Sequence, residues 1–515
     1  MKCTHSYANG SKQCPHPAIE GRDVCIYHES ENGKDFHGKD LSGLDLEEAY
    51  LAGAVLSESD LSGATLTRAV CDGATFEGAN LTGAVARESS FDKAILRDAV
   101  CNGIQLKYAS AEGAICANCM LMDADLTGAI LRYALMPGAQ LQGASLLDAD
   151  LKNSILLEAS LENAILRGAE LSDSDLQMTD LRGADLRNSV MSNCNVRGAD
   201  MRGADLKYVN MEGAILSNAN LQNADFAKSI LKGATLQSAK AKRSNFRDTS
   251  LEDSILVDAN FEKSNFRGAN LSRADVDGTV FTDTELYNAK IEGAVNLRYS
   301  TLNSMMMSEK RGDAHRAKKE YVATLKRYDE AISTYIDLKN YFNTEGLYDK
   351  SGEYYIREWA AKGKIQYTTA YLSAPQLKTN KYIPYYLPFS FRHRESNAFK
   401  ALVHIESKTK WVANKLLFHF ARYGESPQRV LFTSLMIILM YAVVYWASGG
   451  ITPDVSSYTP SFLESVYFSA VTFTTLGYGD FHPKSSFQIF AISEALLGAF
   501  IMAFFVVVVS RRLIR

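Results

Sequence analysis

Between Lys39 and Gly293 the sequence holds a single five-residue register for 255 residues, or 51 pentads. The third residue of each pentad is usually Leu or Phe and the first usually Ala, as in Ala184-Asp185-Leu186-Arg187-Asn188. A helix repeats every 3.6 residues and a strand every two, so neither can hold a period of five. A chain that turns a corner once per pentad can. Four corners close a square coil, with the first and third residues inside and the other three outside.

This pattern resembles the pentapeptide-repeat family, and the resemblance implies a right-handed quadrilateral β-helix over half the chain, residues 36–297. On that fold the pentads would make about thirteen coils and, at ~4.8 Å between stacked strands, a rod of roughly 60 Å. The register sets Cys71, Cys101 and Cys116 at the central apolar position and Cys119 and Cys194 at the small first position. All five are expected to face inward as small hydrophobes rather than redox groups. A cytosolic setting also argues against disulfides. Residues 39–293 carry 24 basic and 37 acidic side chains, net −13, whereas residues 294–515 carry 27 and 17, net +10. The rod is acidic and the remainder basic.

Ahead of the repeat, residues 1–35 hold Cys3, Cys14, Cys25 and His28 in a C-x10-C-x10-C-x2-H spacing. Three thiolates and an imidazole suit tetrahedral Zn²⁺, and some thirty residues are too few to build a core without a staple. His5 and His16 are alternative ligands on sequence grounds. Similar Cys/His modules occur ahead of pentapeptide repeats, so the resemblance implies a structural zinc cap on the open end of the coil, where unpaired edges need cover.

Past Gly293 the register dissolves. Charged and apolar residues alternate at helical spacing from Gly312 to Phe342, where Tyr335, Leu338 and Phe342 share a face. Residues 298–372 resemble a tetratricopeptide-like helix pair with Gly346 in its turn. Residues 373–427 are expected to comprise a linker, holding three of the ten prolines between Ser373 and Phe391, and an amphipathic membrane-surface helix from Trp411 to Arg422.

Two apolar stretches close the chain, Val430 to Ala447 without a charge and Ser485 to Ser510 with Glu494 alone charged. Each is long enough to cross a hydrocarbon core, which takes about 20 residues. Arg422 and Arg429 precede the first, and Arg511, Arg512 and Arg515 follow the second. The positive-inside rule then sets both flanks, both termini and the repeat in the cytoplasm. The N-terminal "MKCTHSYANG" has no apolar h-region, so the first four hundred residues are expected to stay there.

Between the spans, Thr475-Leu476-Gly477-Tyr478-Gly479-Asp480 resembles the potassium-channel signature T-V-G-Y-G-D, with Leu476 where the signature has Val. Carbonyl-ring selectivity is the established account of that family. The resemblance implies that the backbone oxygens of Thr475 to Tyr478 and the Thr475 hydroxyl replace the hydration shell of K⁺. Successive carbonyls can point one way only if alternate residues take angles that side chains disfavour, which Gly477 and Gly479 allow. Leu476 is directed behind the filter, while Thr474, Asp480 and Glu494 are candidates to support it. Glu494, a charge within a span, is either functional by default or a partner for hydroxyls behind the filter. Ser461 to Phe473 has the length of a re-entrant pore helix, and Gly498 is a candidate gating hinge. Residues 428–515 would form the pore domain.

The expected architecture is therefore multidomain: a β-helix, a helical linker and a two-transmembrane α-helical pore. A single filter segment cannot encircle an ion, and the resemblance to two-span potassium channels implies a fourfold ring, a homotetramer with three further copies in a lipid bilayer, expected in a prokaryotic inner membrane. No segment carries Arg or Lys at every third position, which argues against a voltage sensor, and no catalytic motif points to an enzyme. The rods would regulate or scaffold, with a cytosolic partner or ligand as a further expectation. Alternatives are a non-selective cation channel and a membrane-anchored rod that mimics DNA or binds protein; no nucleic-acid partner is expected.

Overall fold

A corner every five residues requires a left-handed backbone position in each pentad, and this is where the sequence puts Gly, Asn and Asp. In the computed structural model the last residue of successive pentads sits near φ +60°, from Gly53 (φ 60) through Asn188 (φ 59) to Asp253 (φ 58). The structure describes residues 2–7, 13–18, 20, 23–30, 34–302, 306–372, 376, 397–454 and 458–513. The chain divides into two compact units, Met1–Met307 and Ser308–Arg515.

In the first unit, parallel bridges join residues twenty apart, beginning with Asp35 to Val55 and ending with Asp275 to Val295. Four pentads thus make one coil. Each turn closes on itself, as Ala54 N–H does on Leu51 O at 3.0 Å, and stacks on the next, as Leu56 N–H does on Thr75 O at 2.7 Å. The residue before the central Leu is often Asp or Asn because its side chain accepts the N–H two positions on, as Asp60 does from Ser62 at 2.9 Å. Where Ser or Thr replaces Ala inside, the hydroxyl donates to a turn carbonyl, Ser59 to Leu56 O at 2.6 Å. Inward rings stack coil upon coil, with Phe246 4.9 Å from both Phe226 and Phe266. The five cysteines of the register are buried as expected. The ladder closes where β1 (Val280–Phe281) pairs in parallel with β2 (Thr301–Leu302).

The second unit is helical. The sequence reading had one helix from Gly312 to Phe342; the structure has two, α1 (Met307–Ala317) and α2 (Tyr321–Thr344). Lys319, at φ 61, breaks the run, a turn that its periodicity does not announce. The chain reverses at Gly346 (φ 71) into α3 (Tyr348–Thr369), which packs along α2. The buried Glu309 carboxylate joins three helices, accepting from Tyr335 and pairing with Lys364 at 2.8 Å.

Helix α4 (Asn397–Ala421) starts well before the amphipathic segment expected at Trp411. It packs on α3, with Asn414 donating to Trp359 O at 2.9 Å and accepting from Tyr423 at 2.7 Å. The proline-containing linker lies outside the described residues, apart from Gln376. Two long apolar helices follow, α5 (Pro427–Ser448) and α7 (Gln488–Leu513), with the short α6 (Phe462–Phe473) packed between. Only 22% of each apolar window is buried, so neither behaves as the core helix of a soluble protein.

Candidate ion pore and metal centre

The pore-like segment begins with a well-defined start signal. Ser461 accepts from the Glu464 N–H at 3.3 Å while Glu464 Oε2 takes the Ser461 N–H at 2.7 Å, a capping box that starts α6. At its far end Thr474 donates to Ala470 O at 2.7 Å, and Leu476 N–H reaches Val471 O at 3.0 Å. The backbone then alternates. Thr475 (φ 58), Gly477 (φ 57) and Gly479 (φ 80) are left-handed, with Leu476 and Tyr478 between them.

The sequence reading foresaw the two glycines and missed Thr475. A β-branched residue at positive φ is strained by about 1–3 kcal/mol, a cost borne where surrounding structure imposes the geometry. Nothing lies within 4 Å of a Cβ added at Gly477 or Gly479, so both glycines are there for conformation and not for space. Tyr478 stacks on Tyr467 of α6 at 6.5 Å. The Asp480 carbonyl accepts from Asp454 N–H at 3.0 Å, where β3 (Ile451–Pro453) pairs antiparallel with β4 (Phe481–Pro483). Leu476, expected behind the filter, is 62% exposed in the single chain.

Glu494 and Gly498 both face α6. Glu494 is fully buried, accepting from Ser469 of α6 and from Tyr445 of α5 at 2.9 Å. Of its two readings, these contacts fit a partner for hydroxyls, here those of α5 and α6. Helix α7 runs through Gly498 unbroken. A Cβ there would fall on the Phe473 carbonyl, 2.7 Å from its carbon. This glycine lets the helix approach the end of α6 closely.

At the other end of the chain, Cys3, Cys14, Cys25 and His28 place their ligand atoms within 4.8 Å of one another. Metal bonds of about 2.3 Å to sulfur and 2.0 Å to nitrogen, at tetrahedral angles, put sulfurs about 3.8 Å apart and sulfur about 3.5 Å from nitrogen. Cys14 and Cys25 Sγ are 3.7 Å apart, and His28 Nδ1 lies 3.2 Å from Cys25 Sγ and 3.9 Å from Cys3 Sγ. His28 Nε2 is held by Glu47 O at 2.9 Å, the backbone contact that fixes a ligating imidazole. Burial pushes the Cys14 thiol up to about 12 and lowers His28, leaving the imidazole neutral. A thiol raised in this way ionises readily only beside a cation, whereas at Cys3 burial is outweighed by backbone hydrogen bonds from His5 and Cys25, and that thiol is lowered. His5 and His16, the alternative ligands, are engaged elsewhere: His5 on Glu48 at 3.1 Å and His16 on Asp45 O at 2.6 Å. Those contacts, with Tyr50 N–H on Tyr27 O at 2.7 Å, fasten the segment to the first coil.

A family model described as "Pentapeptide repeats (8 copies)" matches nine overlapping stretches between residues 35 and 295. The chain belongs to the pentapeptide-repeat family. Unlike a simple rod, this pentapeptide-repeat protein carries a second domain, since a model described as "Ion channel" matches residues 432–515. The two matches and the two apolar helices make it a membrane protein with an ion-channel pore domain. Among solved structures, it is similar to HetL, a pentapeptide repeat protein involved in heterocyst differentiation regulation from the cyanobacterium Nostoc sp.; the identity is 29%, over 42% of this chain and 92% of that one, with TM-score 0.27. A pentapeptide repeat protein from the Arabidopsis thaliana thylakoid lumen is 30% identical over 19% of this chain and 67% of its own, with TM-score 0.18. No curated protein matches the chain.

Proposed function

We propose that this protein is a homotetrameric potassium-selective channel, each copy lending one Thr475–Gly479 segment to a shared filter. The observation that carries the reading is the alternating left-handed backbone at Thr475, Gly477 and Gly479, set between a short pore helix and a second apolar helix. Such alternation lets successive carbonyls face one axis, where they replace the water around K⁺. Four copies are needed to close the ring, and neighbours would cover the exposed Leu476. The role is transport rather than catalysis.

Basic flanks at Arg422 and Arg429 and at Arg511 and Arg512 support a cytoplasmic side for the termini and the rod. The Cys/His cluster would hold Zn²⁺ as a structural staple for the capping segment. The tetratricopeptide-like reading of α2 and α3 makes them the connection through which the rods regulate the pore. The test is purified protein in liposomes. A reversal potential that follows the K⁺ gradient in mixed K⁺/Na⁺, lost in Gly477→Ala, supports the proposal; one that ignores the K⁺/Na⁺ ratio replaces it with a non-selective pore.

A further inference from the structure

Each face of the rod presents one outward ladder, made by the residue before the inward Leu or Phe and its equivalents twenty positions on. Three ladders are studded with carboxylates: Asp180 and Asp200 on one, Asp185, Asp205 and Asp225 on the next, Asp150 and Glu170 on the third. The fourth differs. Ile95, Ile115, Leu135 and Ile155 follow one another in adjacent coils, and after Asp175 and Asn195 the row resumes with Ile215 and, beyond Thr235, Ile255. Leu135 and Ile155 are 38% exposed, Ile215 and Ile255 42%. The turns bordering this face add Ala117, Pro137 and Leu157.

Cross-strand stacking of branched side chains stabilises a coil. The other faces stack Asp, Asn and Ser through the same backbone bridges, and their apolar runs stop at two coils, Tyr50 with Val70 and Val100 with Met120, beside isolated residues such as Ile130, Ile165 and Ile230. Stacking alone therefore does not explain why the run of four apolar coils is confined to one face.

We propose that this apolar face seats the same face of a second copy of the chain. Two arguments select that occupant. A rod of net −13 repels its own kind, and this is the one ladder on which no two carboxylates adjoin: Asp35, Asp175 and Asp275 stand singly, whereas Asp180 and Asp200, Asp185, Asp205 and Asp225, and Asp150 and Glu170 follow one another on the others. The area also fits a tethered partner. A face of about 60 Å by about 10 Å, three residues across, buries roughly 600 Å² per copy, or about 1,200 Å² in all. That is the lower limit for a specific interface, too little to be strong between free rods. Copies already joined through a pore meet at an effective concentration in the ~mM range, where such a face suffices. In this respect the inference rests on the tetramer proposed above. Because the surface is self-complementary, the pairing is isologous, and some position along the ladder lies beside the twofold axis whichever way the rods run.

The test uses the full chain in liposomes, with single cysteines introduced as Leu135→Cys, Ile155→Cys or Ile215→Cys and, on the other faces, Ser160→Cys, Asp180→Cys or Asp205→Cys. All eight native cysteines are buried, so the introduced thiol is the reactive one. A short bismaleimide spacer should link copies at one or more ladder positions at least tenfold more than at the control positions. The pair Leu135→Lys and Ile155→Lys should abolish linkage at Ile215→Cys while leaving the far-ultraviolet circular dichroism unchanged. Ladder linkage no greater than the controls, in protein that still counts as four copies, overturns the pairing and leaves the tetramer standing. Ladder linkage in protein that does not form tetramers upholds the pairing and overturns the tetramer.

Discussion

The hydroxyl of Tyr445 donates to Oε2 of Glu494 at 2.9 Å, joining α5 to α7, while the other carboxylate oxygen accepts from Ser469 of α6. One buried acid thus fastens three helices beside the filter segment. Tyr445→Phe should lower the stability of the pore domain by about 1–3 kcal/mol, the cost of removing one partner from a buried polar group. Glu494→Gln keeps one acceptor oxygen and turns an N–H donor toward the other hydroxyl, and should retain more ion flux than Glu494→Ala. Thermal unfolding and liposome flux read these two effects. Equal flux in the Gln and Ala variants would separate Glu494 from filter support.

Gly498→Ala should be more damaging than an alanine in mid-helix ordinarily is. Elsewhere in a helix, replacing Gly by Ala gains about 1 kcal/mol of propensity. Here the new methyl meets the Phe473 carbonyl, and that backbone cannot turn aside as a flexible side chain would. The expected outcome is a lower unfolding temperature and lost flux. A stabilised, conducting Gly498→Ala protein would show that α7 does not press against the end of α6.

The metal centre predicts one Zn²⁺ per chain by elemental analysis, absent in Cys14→Ser. Because bound thiols must lose their protons, and burial holds Cys14 up to about 12, acid should release the metal before it unfolds the rod. Chelation should expose Cys3, Cys14 and Cys25 to a thiol reagent while Cys71 and Cys194, buried inside the coil, stay protected. Reaction of all eight thiols together would contradict a separate cap.

Glu358 offers a pH test within the helical unit. Burial would raise its pKa, but hydrogen bonds from Lys339 at 2.8 Å and Lys362 at 2.6 Å outweigh it, and the net shift is downward. A depressed folded pKa stabilises the protein above the unfolded value of about 4.3 and loses that contribution as pH falls through the folded value. Glu358→Gln should therefore lower the unfolding temperature at neutral pH, with the gap to the unmodified protein closing below about pH 4. A gap that persists unchanged in acid would assign the effect to packing.

What the sequence disclosed depended on whether a residue's role was local. The pentads read out directly because each repeats its own turn and its own inward pair, and the buried cysteines of the coil followed from register alone. The Cys/His cluster was legible as a set, but His5, His16 and His28 could be told apart only once His5 was found on Glu48 and His16 on Asp45 O. Thr475 was missed because its left-handed angle is imposed by the fold against its own preference. The packing requirement at Gly498 was missed for a related reason. Its need for glycine comes from a carbonyl twenty-five positions away, which no local pattern encodes.

The bridges that tie each residue to the one twenty ahead also govern how such a rod can change length. Losing or gaining twenty residues removes or adds one storey, about 4.8 Å, and leaves every side facing as before. Losing five keeps the interior intact but gives everything downstream a quarter rotation, moving isoleucines onto an acidic wall. Losing one turns the leucines out into water for the remainder of the coil.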